Sequence, residues 1–214
     1  MVNNLESIKP LLDFSNPNMF YFVQMIQRKK DASIGRGIKV QGTNNNSRTI
    51  KSYFISNMEY LHKVFPEMVK LCDLFNARAS INLNRRDYRK TALRHLKLTT
   101  DNILNNNQDK LYKSYDSTVG KNHDEPKNNS KWVVDIDKEE ITFLPNITNC
   151  INLCEPFTGP KILTKVPSKT GLHLITKPFN RKQFKELLDQ EMDKYTLKLS
   201  IDIQTNNPTN LYIP

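Results

Sequence analysis

The sequence predicts an α/β fold: a mainly helical N-terminal half packed on a mixed sheet supplied by the C-terminal half. Three observations carry this. Apolar residues recur at helical spacing over much of residues 1–104, strict alternation of apolar and polar residues begins after residue 131, and an Asn-rich stretch with little apolar content, 105–130, stands between them. At 214 residues and 24.9 kDa the chain suffices for one domain. We therefore read 1–214 as a single unit: a basic helical lobe over 1–104, a connector over 105–130 and a second lobe over 131–214.

Asn16-Pro17 reads as a helix start, with Met19, Phe20, Phe22, Val23 and Ile26 on the helix down to about Lys30. Residues 31–49, with Gly35, Gly37, Gly42 and three consecutive Asn, read as a basic loop. A second helix is predicted from about Ile50 to Phe75, with Pro66 as a break or kink. Arg78–Asn84 reads as a short strand, and Asp87 as the cap of a helix running to about Leu104. After the connector, Trp132–Asp137 alternates as a strand, and Ile162–Val166 with Leu172–Thr176 forms a hairpin around Pro167–Gly171. Asn180, with Gln183 three residues on, caps a helix whose buried stripe is Phe184, Leu187, Leu188 and Met192. Leu197–Gln204 is the next strand and Leu211–Ile213 the last.

No apolar run reaches the roughly 18 residues a membrane helix needs, and Met1-Val-Asn-Asn-Leu-Glu lacks the order of a secretory signal. Three cysteines, Cys72, Cys150 and Cys154, are too few and too oddly spaced for a disulfide framework. The expectation is a soluble protein of a reducing compartment, the cytoplasm, with no membrane partner. The net charge of +10 is unevenly placed: residues 1–100 hold 17 Lys+Arg against 7 Asp+Glu, while 101–214 hold 15 of each. A one-sided basic field suits a polyanion, whose condensed counterions it releases on binding.

Alternate residues of a strand share a face, so Asp135 and Asp137 lie together opposite Val134 and Ile136. The later strand sets Ser200, Asp202 and Gln204 opposite Leu199, Ile201 and Ile203, and the hairpin strand sets His173, Ile175 and Lys177 opposite Leu172, Leu174 and Thr176. Each signal alone has a bland reading, since an Asp-x-Asp is commonly a solvated strand edge and a strand histidine commonly structural. If the three strands are neighbours in one sheet, however, three carboxylates, a histidine and a lysine converge on one surface. Oxygen ligands of this kind suit Mg²⁺ or Mn²⁺, which keep open positions for substrate phosphates. The inventory matches two-metal phosphoryl or nucleotidyl transfer.

Asp-Ile-Asp at 135–137, Ser168-Lys-Thr-Gly-Leu-His173 entering an apolar strand, and Leu-Ser-Ile-Asp202 followed by Leu211-Tyr-Ile-Pro214 stand in a telling order. The sequence here resembles the three motifs of the archaeo-eukaryotic primase (primase-polymerase) superfamily, in its compact phage or mobile-element form. The resemblance covers about residues 131–214 and implies an RRM-like catalytic half. It also implies a DNA primase, a metal-dependent nucleotidyltransferase joining nucleotides on a single-stranded DNA template in replication. Carried over, Asp135, Asp137 and Asp202 are the metal ligands, and His173 meets the phosphates of the incoming nucleoside triphosphate. Ser168, Lys169 and Thr170 in the preceding turn are further nucleotide contacts, joined from position and charge by Lys177 and Arg181. One departure stands out: where the family's middle motif often has Ser, two residues before the His, this chain has Gly171.

The basic half supplies template candidates in Arg78, Arg85, Arg86 and Arg89, with Arg28, Lys29 and Lys30, and with Tyr53, Phe54 and Tyr88 as stacking platforms. Zinc is not expected, because Cys150-x-x-x-Cys154 with His123 lacks a second close ligand pair. No phosphate-binding Gly-x-x-x-x-Gly-Lys-Ser/Thr loop occurs, so a helicase would be a separate partner. Two rival readings use the same residues. One is a metal-dependent nuclease; the other is a single-stranded nucleic-acid-binding module without catalysis.

Overall fold

A computed structural model describes residues 1–28, 47–206 and 208–214. The described residues form an α/β structure of two antiparallel sheets and six α-helices. The first sheet holds β1 (Val2–Asn3), β2 (Met19–Arg28), β3 (Ser47–Ile55), β4 (Arg78–Asp87) and β9 (Thr209–Ile213), in the order β1-β9-β4-β2-β3. The second holds β5 (Trp132–Asp137), β6 (Ile162–Pro167), β7 (Gly171–Thr176) and β8 (Asp202–Gln204), in the order β6-β7-β5-β8. The helices are α1 (Leu5–Ile8), α2 (Met58–Phe75), α3 (Tyr88–Leu104), α4 (Ser114–Lys121), α5 (Leu144–Leu153) and α6 (Arg181–Asp193).

Two expectations about the N-terminal half are corrected. The segment read as a first helix is the ten-residue strand β2, and the segment from Ile50 begins in β3, with α2 starting only at Met58. The reason is burial on both faces: Phe20, Tyr21, Phe22, Val23 and Met25 are all fully buried. A strand covered on both sides reads as a continuous apolar run, which spacing cannot separate from a helix. The first half therefore carries four strands, β1 to β4, beside the helices α1, α2 and α3. Pro66 lies within α2 and does not end it. Most of the loop read at 31–49 falls outside the described residues, as do Lys29 and Lys30.

The mixed sheet is also corrected, because every strand pair in both sheets is antiparallel. Helix α5 leads from β5 to β6, which run in the same direction, but β7 lies between them and pairs antiparallel with each. Strands β5, β6 and β7 and helix α6 match their sequence signals, whereas α5 was not anticipated. Asn180 Oδ1 accepts from the N–H groups of Lys182 and Gln183 at the start of α6. Of the strand read from Leu197, only Asp202–Gln204 pairs.

Helix α2 buries Leu61, Val64, Met68 and Cys72 in the core of the first sheet, where Val133, Val166 and Ile175 of the second sheet join them. The opposite face of the second sheet, with Val134, Ile136 and Leu174, is covered by Ile147, Cys150 and Ile151 of α5 and Phe184, Leu188 and Met192 of α6. Each fully buried side chain of this size contributes about 1.5–3 kcal/mol. The connector is not a bare linker: α4 places Val119 against Phe20 and Phe22 of β2.

Asparagines join the two sheets. Asn84 Nδ2 donates to the carbonyls of Lys131 and Thr205, and its Oδ1 accepts the Lys131 N–H at 2.7 Å. Asn82 Nδ2 donates to Asn206 O, and Asn4 Nδ2 donates to both Pro167 O and Asn210 O. The entry to β5, the exit of β8 and the end of β6 are thereby fixed against the first sheet.

Candidate active site

Strand pairing brings the C-terminal motifs together. Asp135 of β5 lies directly opposite His173 of β7 on one side and Asp202 of β8 on the other. Directly paired residues of antiparallel strands project to the same face, so the three side chains form a row across the sheet. His173 Nε2 is 3.4 Å from Asp135 Oδ1. Gln204, two residues along β8 on the same face, donates from Nε2 to Asp202 Oδ2 at 2.6 Å. Asp137 ends β5, exposed, where its backbone N–H donates to Glu140 Oε2 at 2.9 Å.

Two residues of the row, Asp135 and His173, open on a cleft of about 300 Å³ between the sheets, where β8 contributes Gln204 rather than Asp202. Asp135 and His173 line it from the second sheet, Arg28, Arg78 and Ser80 from β2 and β4, and Asn210 from β9. Ser168, Lys169 and Thr170 of the β6–β7 turn complete the wall. The turn is closed by Ser168 N–H donating to Gly171 O and tied to β5 by Lys138 N–H donating to Thr170 O, each at 3.0 Å. Three cationic side chains, Arg28, Arg78 and Lys169, thus face the carboxylate Asp135 across a space the size of a small anionic ligand.

His173 is held from the first sheet: its Nδ1 lies 2.8 Å from Oγ1 of the fully buried Thr209. Burial pushes the imidazole below its ordinary range; Asp135 opposes the shift and the positive charges of Arg28 and Arg78 add to it. Nδ1 of the ring is engaged by Thr209 and Nε2 lies toward Asp135. Glu140 shows the opposite effect, its carboxyl raised by burial and by the negative charges of Asp137, Asp135 and Glu139.

Gly171 has a steric explanation. A Cβ there would meet Ile136 O at 2.0 Å and Asp137 Cα at 3.0 Å. The chain opposite Asp137 passes too close for any side chain, so the hydroxyl that the resemblance leads one to look for has no room at this position. Ser168 and Thr170 remain as the hydroxyls of the turn.

The remaining sequence candidates separate. Arg78 lines the cleft, and Arg89 is exposed at the start of α3. Arg85 and Arg86 are interior: Arg85 is paired with Glu125 at 2.8 Å and Asp13 at 2.6 Å, and Arg86 is fully buried on Val119 O and Asn84 O. Neither is on the surface to meet a template. Lys177 is exposed at the other end of β7, about 13 Å along the strand from His173, and does not line the cleft. Arg181 stacks its guanidinium 5.9 Å from the Trp132 ring. Tyr53 is buried in the first core, while Phe54 and Tyr88 belong to an aromatic cluster with Phe20. Cys150 and Cys154 are buried under the second sheet, with the Cys154 thiol donating to Cys150 O, and His123 sits instead among Arg86, Glu125 and Asp124.

Sequence reasoning missed Thr209, Glu140, Ser80 and Asn210. Thr209 and Asn210 carry no local signal, because their role depends on β9 returning to the first sheet. Glu140 was detectable in principle, lying three residues after Asp137.

Among the described residues, no group of three His, Cys, Asp or Glu side chains is gathered tightly enough to hold a metal by itself. The donor set nevertheless fits a hard divalent cation that substrate phosphates help to ligate. Asp135 and Asp202 face each other on paired strands, and Mg²⁺ is commonly held by one or two carboxylates with water and phosphate oxygens. None of the described helices is long and apolar enough to cross a membrane. Comparison of the chain with protein-family models, curated proteins and solved structures finds no match.

Proposed function

We propose that this protein is a DNA primase or primase-polymerase, a nucleotidyltransferase that extends a strand on a single-stranded DNA template from nucleoside triphosphates. The observation that carries the reading is the row His173–Asp135–Asp202, of which His173 and Asp135 line a cleft together with Arg28, Arg78 and Lys169. The order of elements from β5 to β8 is β-α-β-β-α-β with sheet order β6-β7-β5-β8, which supports reading this half as an RRM-like unit.

In the proposed reaction a 3′-hydroxyl oxygen attacks the α-phosphorus and gives up its proton to solvent, the bond from that phosphorus to the α–β bridging oxygen breaks, and pyrophosphate leaves. The chain's residues have distinct parts. Arg28, Arg78 and Lys169 neutralise the β- and γ-phosphates, His173 Nε2 donates to a phosphate oxygen, and the turn at 168–170 holds the triphosphate against the row. Asp135 and Asp202, with Asp137 at the strand end, would hold Mg²⁺ or Mn²⁺. When bound, such an ion would supply Lewis-acid stabilisation of the phosphates and would lower the pKa of the attacking hydroxyl. A cytoplasmic setting and a separate helicase fit this role.

The test is primer synthesis and extension on single-stranded DNA with labelled NTPs or dNTPs and either cation, beside Asp135→Asn and Asp202→Asn variants checked for native circular dichroism. Labelled oligomers from the native protein, reduced a hundredfold or more in each variant, are expected. Degradation of a labelled strand without synthesis would instead make the same row a nuclease centre, and DNA binding with neither reaction would leave a binding module.

A further inference from the structure

Helix α3 is inverted in polarity. It packs on α4 and β4 and buries Thr91 and Asn102, whereas Leu93, Leu96, Ile103 and Leu104 are each more than half exposed. At the helical repeat these four, with the exposed Ala92 and Thr100 between them, fall on one side and form a continuous apolar stripe along the helix. Contiguous exposed apolar surface of this kind marks a contact site. Lys97 and Asp101, both exposed and one turn apart, border the stripe along the same edge.

We infer that this stripe is the contact surface between two copies of the chain, joined through their α3 helices running antiparallel. The stripe is self-complementary about a two-fold axis that crosses the helix near residue 99. Such an axis brings together positions equally distant on either side of it, residue i meeting j and j meeting i. Leu93 then meets Leu104 of the partner subunit, and Leu96 fits between Thr100 of the partner subunit and Ile103 of the partner subunit. The two-fold keeps each edge on its own side, so Lys97 faces Asp101 of the partner subunit, and this ion pair occurs twice. An acidic helix of a different protein would suit Lys97 and be repelled by Asp101, whereas a second copy satisfies both charges. One helix laid on one helix covers less than the roughly 800 Å² per partner of a stable complex, so the dimer is weak, with a dissociation constant of about 10–100 µM.

The test is sedimentation equilibrium of the full chain from about 5 to about 500 µM, a range that brackets such a constant. The average mass should rise with concentration from 24.9 kDa toward twice that value. Leu96→Asp, at an exposed position and checked for native circular dichroism, should weaken association about tenfold or more. Lys97→Glu sets like charges together twice and should weaken it about fivefold, and the exchange Lys97→Glu/Asp101→Lys should return it to within about twofold of the native protein. A mass of 24.9 kDa at every concentration would overturn the inference and leave the stripe to the helix of a different protein. Association as strong in Leu96→Asp as in the native chain would overturn it by placing the contact elsewhere. Failure of the charge exchange to restore what Lys97→Glu loses would overturn the antiparallel pairing.

Discussion

Gly171 and Thr209 each hold the site through one contact, Gly171 by its lack of a side chain beside β5 and Thr209 by its hydroxyl on His173. With Ile136 O 2.0 Å from where a Cβ would sit, Gly171→Ser must push β7 from β5. It should cost about 1–3 kcal/mol or more in urea unfolding and misplace both Asp137 and His173. Thr209→Val keeps the shape but leaves His173 Nδ1 buried without its partner. A loss of about 1–3 kcal/mol and weaker nucleoside triphosphate binding are expected, both restored by Thr209→Ser. Equal triphosphate binding in the valine and serine variants would show that the contact does not position the ring. At this scale the sequence was partly legible: the alternation around Asp135, His173 and Asp202 gives the face of each side chain. It says nothing of Thr209, whose partner lies 36 residues away in the other sheet.

Among the elements, local signals were reliable where a capping side chain acts on its own helix. Asp87 Oδ1 accepts the Lys90 N–H at 2.8 Å at the start of α3, and Asn180 Oδ1 accepts the N–H groups of Lys182 and Gln183, each at 3.1 Å, at the start of α6. Asp87→Ala should cost about 1 kcal/mol, measured by thermal or urea unfolding. Local signals failed for β2 and β3. The run Met19–Ile26 satisfies a helical pattern and a doubly buried strand equally well, and only the partners β3 and β4 decide between them. The register of β5 between β7 and β8 is the element-level fact on which the site depends. It aligns Asp135 with both neighbours, and a one-residue slip of either strand would turn its functional side chain to the opposite face.

For the whole molecule, the former connector turns out to fasten the first sheet. Glu125 is buried against Arg85, with hydrogen bonds to its Nε and Nη2, and Asp124 makes a two-bonded pair with Arg94. Burial alone would raise both carboxyls, but the arginine bonds outweigh it and hold them below the usual carboxylate range. Depressed folded-state values mean stability that is complete above the unfolded pKa and lost as pH falls through the folded one. Unfolding free energy should therefore be nearly flat from about pH 7 to 5 and decline below about pH 4. Glu125→Gln should flatten part of that decline and cost about 3 kcal/mol at pH 7 by weakening the partnership of a buried guanidinium. A full-size acid decline in the variant would assign the effect to other carboxylates.

The sequence by itself determined the α/β class, the C-terminal hairpin and capped helix, and which face of each C-terminal strand carries Asp135, Asp137, His173 and Asp202. These depend on short-range periodicity and on side chains bonding their own backbone. Only the tertiary structure decided that β2 is a strand, that every sheet pairing is antiparallel, and that Arg85 and Arg86 are interior while Arg28 and Arg78 face the cleft. It also brought β9 back beside β4, placing Thr209 against His173. The reason is common to all of these: each depends on which distant segment covers a face, and burial by a distant segment leaves no periodic trace in the residues it covers.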